Sequence, residues 1–135
     1  MRPRTILIVD DNLSSADTME LALMDLDGIE TSSVTNGERA WRLIRDFDGA
    51  RLAAVITDLH MPAMDGFELI SKIRSDNRYK HLPILVVSAT TDPGAPQRVR
   101  ELGANAFIAK PWSPTKLRRR LEQLLYGESD KRTLP

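Results

Sequence analysis

Residues 53–66 read AAVITDLHMPAMDG. A buried-looking strand, Ala53 to Thr57, runs into one carboxylate, Asp58, and then into a turn. Beyond the turn, Asp65 with Glu68 three residues on forms a capping-box-like helix start, and Phe67, Ile70 and Ile73 supply an apolar face. Strand, polar residue, turn, helix is the unit from which the rest of the chain is read.

The same unit recurs on both sides. Upstream, Thr5 to Val9, with Ile6, Leu7, Ile8 and Val9 consecutive, is a short apolar run, the pattern of a strand covered on both faces, and it stops at Asp10 and Asp11. Met19, Ala22, Leu23 and Leu26 then mark one helical face, ended by Gly28. Ile29 to Val34 is a more polar strand, suited to a sheet edge. Asn36 caps a helix with Ala40, Leu43, Ile44 and Phe47 on its inner face. Downstream, Pro83 to Val87 is a fourth strand ending at Ser88. A short helix follows, starting near Pro96 and ending before Gly103. Ala106 to Ala109 is a fifth strand that closes at Lys110 and Pro111. Ser113 and Pro114 open a last helix that buries Leu117, Leu121, Leu124 and Leu125. Residues 127–135 lack periodicity and are expected to form a disordered tail, which leaves 1–126 as one domain.

Strands and helices alternating at this spacing predict a parallel sheet with helices on both faces and right-handed crossovers. The polar second strand and the short fifth belong at the edges, giving the order 2-1-3-4-5. Such sheets place their sites at the carboxyl ends of the strands. That edge collects Asp10, Asp11, Asp58, Ser88 and Lys110.

Composition narrows the chemistry. With 19 Lys and Arg against 19 Asp and Glu the formal net charge is zero, so no general attraction to nucleic acid or anionic membrane is expected. No cysteine is present, which excludes disulfides, thiolate metal sites and thiol catalysis. No apolar run nears the ~18 residues of a membrane span, and a cytoplasmic protein is expected. The basic run Lys116, Arg118, Arg119 and Arg120 reads as a solvated helix face.

A strand-end aspartate alone is an ordinary turn former, Ser88 alone a cap, and Lys110 alone a surface lysine. Together they make a reactive group. Three adjacent carboxylates repel unless a cation joins them, and oxygen-only ligands suit magnesium, which keeps several waters and accepts a substrate phosphate. A carboxylate beside such a cation and Lys110 can attack phosphorus and form an acyl phosphate, with the Ser88 hydroxyl as a further partner.

The paired aspartates after strand one, DLHMP and MDG around the third strand's end, VVSA at the fourth and KP at the fifth resemble the receiver domain of two-component response regulators, over about Thr5 to Leu125. The resemblance implies a flavodoxin-like, doubly wound (βα)5 fold and a phosphorelay function. In it Asp58 accepts a phosphoryl group from a histidine kinase, a histidine phosphotransfer protein or acetyl phosphate. It implies that Asp10, Asp11, Asp58 and the main-chain carbonyl of His60 hold magnesium, or manganese in its place. Lys110 binds the phosphate, Ser88 and Phe107 form the switch, and the bond before Pro111 is cis. The readout face is that of the fourth helix, fifth strand and fifth helix, meeting an unidentified downstream protein. The chain is then a phosphoacceptor switch rather than an enzyme, assisting only its own phosphorylation and dephosphorylation, as a monomer or weak homodimer.

Two departures from the family pattern stand beside the site: His60, where asparagine is frequent, and Thr90, where glutamate is frequent. They are expected to set the phosphoryl lifetime. Alternative readings are a receiver cut from a hybrid histidine kinase or multidomain regulator, and an aspartyl-phosphate phosphohydrolase. The latter wants a second acid where His60 stands. A flavodoxin-like cofactor binder would need phosphate donors where Asp10 and Asp11 stand. A pseudo-receiver would lack one of the site residues.

Overall fold

Each apolar run of the sequence enters one sheet, and each polar or periodic stretch between runs packs over it. The structure, a computed structural model, describes residues 3–133. Strands β1 (Arg4–Val9), β2 (Ile29–Val34), β3 (Leu52–Thr57), β4 (Ile84–Ser88) and β5 (Ala106–Ala109) alternate with helices α1 (Leu13–Leu23), α2 (Gly37–Asp46), α3 (Gly66–Ser75), α4 (Ala95–Leu102) and α5 (Pro114–Thr133). The sheet order is β2-β1-β3-β4-β5, parallel throughout, as the pattern predicts. Two short 3-10 turns, Gly49–Arg51 and Asn77–Tyr79, complete the fold.

Side chains alternate across a strand, so the central strands feed two cores. Leu7, Val9 and Val55 join Ile44, Ile70 and Val99 beneath α2, α3 and α4. Ile6, Ile8 and Ile56 join Met19, Leu23, Leu117 and Leu121 beneath α1 and α5. Every residue of β3 is buried, whereas β2 alternates at the sheet edge. The helix starts are capped by side chains: Asn36 accepts from Arg39 N at 2.8 Å, Asp65 from Glu68 N at 2.9 Å and Ser113 from Lys116 N at 3.0 Å.

Four details differ from the sequence reading. Helix α1 ends at Leu23, not next to Gly28; Gly28 has φ +72° and closes the following turn, where its carbonyl accepts from Arg4 N. Leu43 points outward at 41% exposure. A Cβ on Gly37 would lie 2.4 Å from the Met64 carbonyl oxygen, and this close approach sets the rotation of α2 so that Gly37, Ala40 and Ile44 face inward. Ser88 is the last residue of β4, and Pro83 precedes the strand. Finally, the α5 backbone stays helical through Thr133, where a tail from residue 127 was expected. No proline interrupts residues 115–134, so nothing in the chain forces the helix to end at Tyr126. Residues 134 and 135 lie outside the described residues.

Candidate functional site

The sheet's hydrogen-bond ladder runs one residue past several strands, and this fixes the site. Asp10 N donates to Val34 O at 3.1 Å, Asp58 N to Val9 O at 3.0 Å and Lys110 N to Ser88 O at 2.9 Å. Residues that the sequence places in loops are therefore held by the sheet backbone.

Lys110 is the hub. Its Nζ donates to Asp58 Oδ2 at 3.0 Å and to Asp10 Oδ2 at 3.1 Å. Asp10 is 1% exposed and Asp58 9%. Burial, the largest single influence on Lys110, works against its charge, but the hydrogen bonds and field of Asp58 and Asp10 outweigh it and raise the ammonium pKa. The other oxygen of each carboxylate is also fixed: Leu59 N donates to Asp58 Oδ1 at 2.6 Å and Asn12 N to Asp10 Oδ1 at 2.9 Å.

Asp11 is exposed, and one carboxylate oxygen from each of Asp10, Asp11 and Asp58 lies within 4.8 Å of the others. The donors are all hard oxygens, the set that a divalent ion such as magnesium takes. The residues present fit that ion.

The turn behind Asp58 is tightly built. Gly66 N donates to Leu59 O at 2.9 Å, and a Cβ on Gly66 would lie 2.2 Å from the Asp58 carbonyl oxygen and 2.8 Å from Leu59 Cα. Thr57 Oγ1 donates to the same Asp58 carbonyl at 2.8 Å. The Asp65-Gly66 pair is a turn signal in the sequence, but the contact with Asp58 is not readable there. Asn12 is the other residue the sequence reading passes over. It caps α1, its side chain accepting from Ser15 N at 2.9 Å while its own N–H holds Asp10, and its place after two acids at a strand end is the only sequence cue.

Ser88 is fully buried, and its Oγ accepts from Thr90 N over a long 3.4 Å, so the hydroxyl is only weakly held. Thr90 Oγ1 accepts in turn from Asp92 N at 3.2 Å. His60 is exposed on the β3–α3 connection. Phe107 is half-buried in β5 and packs against the core beneath α2, α3 and α4. The Lys110–Pro111 bond is cis. A groove of about 510 Å³ borders Lys110 between Ser14, Ser15 and Thr18 of α1 and Ala89 and Trp112. The site thus combines a nearly buried carboxylate, a lysine bonded to it and an oxygen cluster suited to a divalent cation, beside an open groove. That is the equipment for receiving a phosphoryl group.

The comparisons agree with this geometry. The family model described as "Response regulator receiver domain" matches residues 6–122. The chain is 33% identical over 127 residues to chemotaxis protein CheY1 of Helicobacter pylori, covering 93% of this chain and 98% of that protein. The structure of the chemotaxis response regulator CheY4 of Vibrio cholerae superposes with a TM-score of 0.81 at 30% identity, covering 91% of this chain and 99% of the other. The receiver domain of the Pseudomonas aeruginosa sensor histidine kinase PA1611, solved with a magnesium ion coordinated in its active site cleft, gives 0.79 at 27% identity, covering 91% and 98%. With its sheet order, its strand-end carboxylates and lysine, and a family model spanning most of its length, the chain belongs to the response regulator receiver domain family.

Proposed function

We propose that Asp58 is the phosphoacceptor of this receiver. The observation that carries the reading is the Lys110 ammonium bridging Asp58 and Asp10 at 3.0 and 3.1 Å, with the Asp11 carboxylate completing an oxygen cluster beside them. A carboxylate oxygen of Asp58 attacks phosphorus, and the bond from phosphorus to the leaving group breaks. That group is the imidazole nitrogen of a phosphohistidine or the acyl oxygen of acetyl phosphate. Lys110, already on Oδ2, follows the negative charge onto the phosphoryl oxygens, while Leu59 N–H keeps the carboxylate oriented. Asp10, Asp11, Asp58 and the His60 carbonyl would hold magnesium. Bound there, the ion supplies the positive charge that offsets the phosphoryl oxygens.

Phosphorylation adds nearly two negative charges at the end of β3. The weakly held Ser88 hydroxyl turns toward them, and Phe107 moves into the space released. The face of α4, β5 and α5 thereby shifts its population toward a partner-binding form. His60 and Thr90 flank the phosphoryl position and set its lifetime by governing the approach of water. The phosphodonor is a histidine kinase or a histidine phosphotransfer protein, and the setting is the cytoplasm. No helix among the described residues is long and apolar enough to cross a membrane. The likeness to a receiver from a sensor histidine kinase supports a second reading, in which this domain serves within a hybrid kinase.

Incubation with acetyl phosphate, with and without magnesium, tests the proposal by intact mass. A phosphate adduct is expected only with the metal and not in the Asp10→Asn, Asp11→Asn double variant. Continuous hydrolysis of a simple phosphate ester would mark a phosphohydrolase instead.

A further inference from the structure

The β2 edge of the sheet, at the far end of the strand order from β5, is flanked by one helix on each face. Helix α1 packs with α5 over one face and α2 with α3 and α4 over the other, and both α1 and α2 lie over β1 and β2.

Contacts fix which flank of each helix turns to that edge. On α1, Ser14, Ser15 and Thr18 border Trp112 at the start of α5, and Asp25 beyond the helix pairs with Arg118. The other flank leans on β2. There Glu20 accepts from Thr31 Oγ1 at 2.9 Å and from Ser33 Oγ at 3.4 Å, and it lines a groove with Asp17, Leu21 and Met24. On α2, Gly37 abuts Met64, the Ile44 carbonyl accepts from the Tyr79 hydroxyl at 2.8 Å and the Arg45 carbonyl from Arg78 at 2.9 Å, so that flank faces α3 and the turn after it. Arg39, Arg42 and Leu43 line a second groove on the flank away from α3. Both grooves are part apolar and part charged. Leu21 is 67% exposed, Met24 70% and Leu43 41%, so three of the five most exposed large hydrophobic side chains among the described residues gather at this edge. Asp17, Glu20, Arg39 and Arg42 enter no ion pair among the described residues.

We infer that the β2 edge is the interface of a homodimer, in which α1 of one copy packs along α2 of the other. A two-fold axis parallel to the strands, beside β2, sets α1 against the other copy's α2 on one face and repeats the contact on the opposite face, so the patch is self-complementary and the assembly closes. The heights agree. Val9 and Val34 are register partners, and α1 and α2 begin four and three residues beyond them. At ~1.5 Å per residue, Asp17 lies ~6 Å into α1, between Arg39 at ~3 Å and Arg42 at ~7.5 Å into α2, and Leu21 at ~12 Å stands beside Leu43 at ~9 Å. An axis perpendicular to the sheet would instead set the acids of α1 against their own copies. A separate basic partner would satisfy α1 alone and leave the cations and Leu43 of α2 uncovered. The pairing leaves both Asp58 sites open toward the same end of the dimer and both faces of α4, β5 and α5 free. It rests on neither the role of Asp58 nor phosphorylation.

Sedimentation velocity of the full chain over a range of concentrations tests this. Expected is a monomer–dimer equilibrium, weaker in high salt and unmoved by acetyl phosphate with magnesium. The Asp17→Arg, Glu20→Arg variant and the Arg39→Glu, Arg42→Glu variant should each dimerise about tenfold more weakly. An equimolar mixture of the two restores opposite charges at both contacts and should dimerise like wild type. The chain has no cysteine, so a second measurement is independent of these reversals: Leu21→Cys mixed with Leu43→Cys should form a disulfide-linked pair faster than either alone. A chain monomeric at every concentration, a dimer indifferent to both reversals, a mixture that fails to recover, or dilution-dependent amide NMR shifts confined to α4, β5 and α5 would each overturn the inference. So would a monomer that binds a basic amphipathic peptide along α1, which would assign the edge to a different protein.

Discussion

Lys110 is positioned by two carboxylates, and its raised pKa has a sign that can be tested. A cation whose pKa is higher in the folded than in the unfolded state stabilises the fold fully below its unfolded value, here 10.5, and the contribution fades as pH rises through the higher folded value. Urea unfolding of wild type should therefore lose stability above pH 10.5 relative to a Lys110→Met variant, and the two curves should run parallel below it. Ser88 makes the opposite prediction. Its hydroxyl has one long contact, so Ser88→Ala should cost less than about 1 kcal/mol in chemical denaturation. The same variant should accept phosphate yet fail to convert it into changes at α4, β5 and α5 by NMR. Replacing His60 with Asn and Thr90 with Glu should change the rate of phosphate loss, and an unchanged rate would remove both residues from timing.

At the level of elements, α3 is the most constrained, because both its ends touch functional backbone. Gly66→Ala would drive a Cβ into the Asp58 carbonyl and Leu59 Cα, main-chain atoms that cannot swing aside. A loss of about 3 kcal/mol in denaturant unfolding is expected, with slower phosphorylation of Asp58. At the other end, the Arg74 guanidinium donates twice to Gly103 O (2.7 and 2.9 Å), once to Tyr79 O (2.7 Å) and once to Asn105 Oδ1 (3.0 Å), which also accepts from Ile84 N at 2.8 Å. Arg74→Ala should cost about 2–4 kcal/mol and loosen the α4–β5 turn, visible as faster amide exchange there. What the sequence discloses follows from the same physics. Strand ends are legible because Asp10, Asp58, Ser88 and Lys110 each interrupt an apolar run. Helical periodicity gives the spacing of a face but not its rotation, so Leu43 reads as inward although Gly37 against Met64 turns it out. Arg74 is invisible because three of its four hydrogen bonds go to two main-chain carbonyls, those of Gly103 and Tyr79, set by the fold and not by residue type.

At the scale of the whole molecule, a five-stranded parallel sheet packed on both faces carries one reactive edge at the carboxyl ends of its strands. An ion held by the folded acid cluster and not by the unfolded chain stabilises the fold, so if the cluster takes magnesium the ion should raise the thermal midpoint of wild type. The Asp10→Asn, Asp11→Asn variant should show no such rise. The sheet order and the strand-end constellation follow from the chain's alternating pattern, but the partners of Arg98 and Arg118, the Phe67 ring and the Asp25 carboxylate, are brought to them only by the folded chain. Whether the phosphoryl group resides on Asp58 is decided by trapping it. Protein loaded with acetyl phosphate and magnesium is reduced with borohydride, which converts an acyl phosphate to the corresponding alcohol, and the digested peptides are weighed. Homoserine at position 58, absent from an Asp58→Asn control, is the predicted result. Reduction at another carboxylate, or an adduct that persists undiminished in Asp58→Asn, would contradict it.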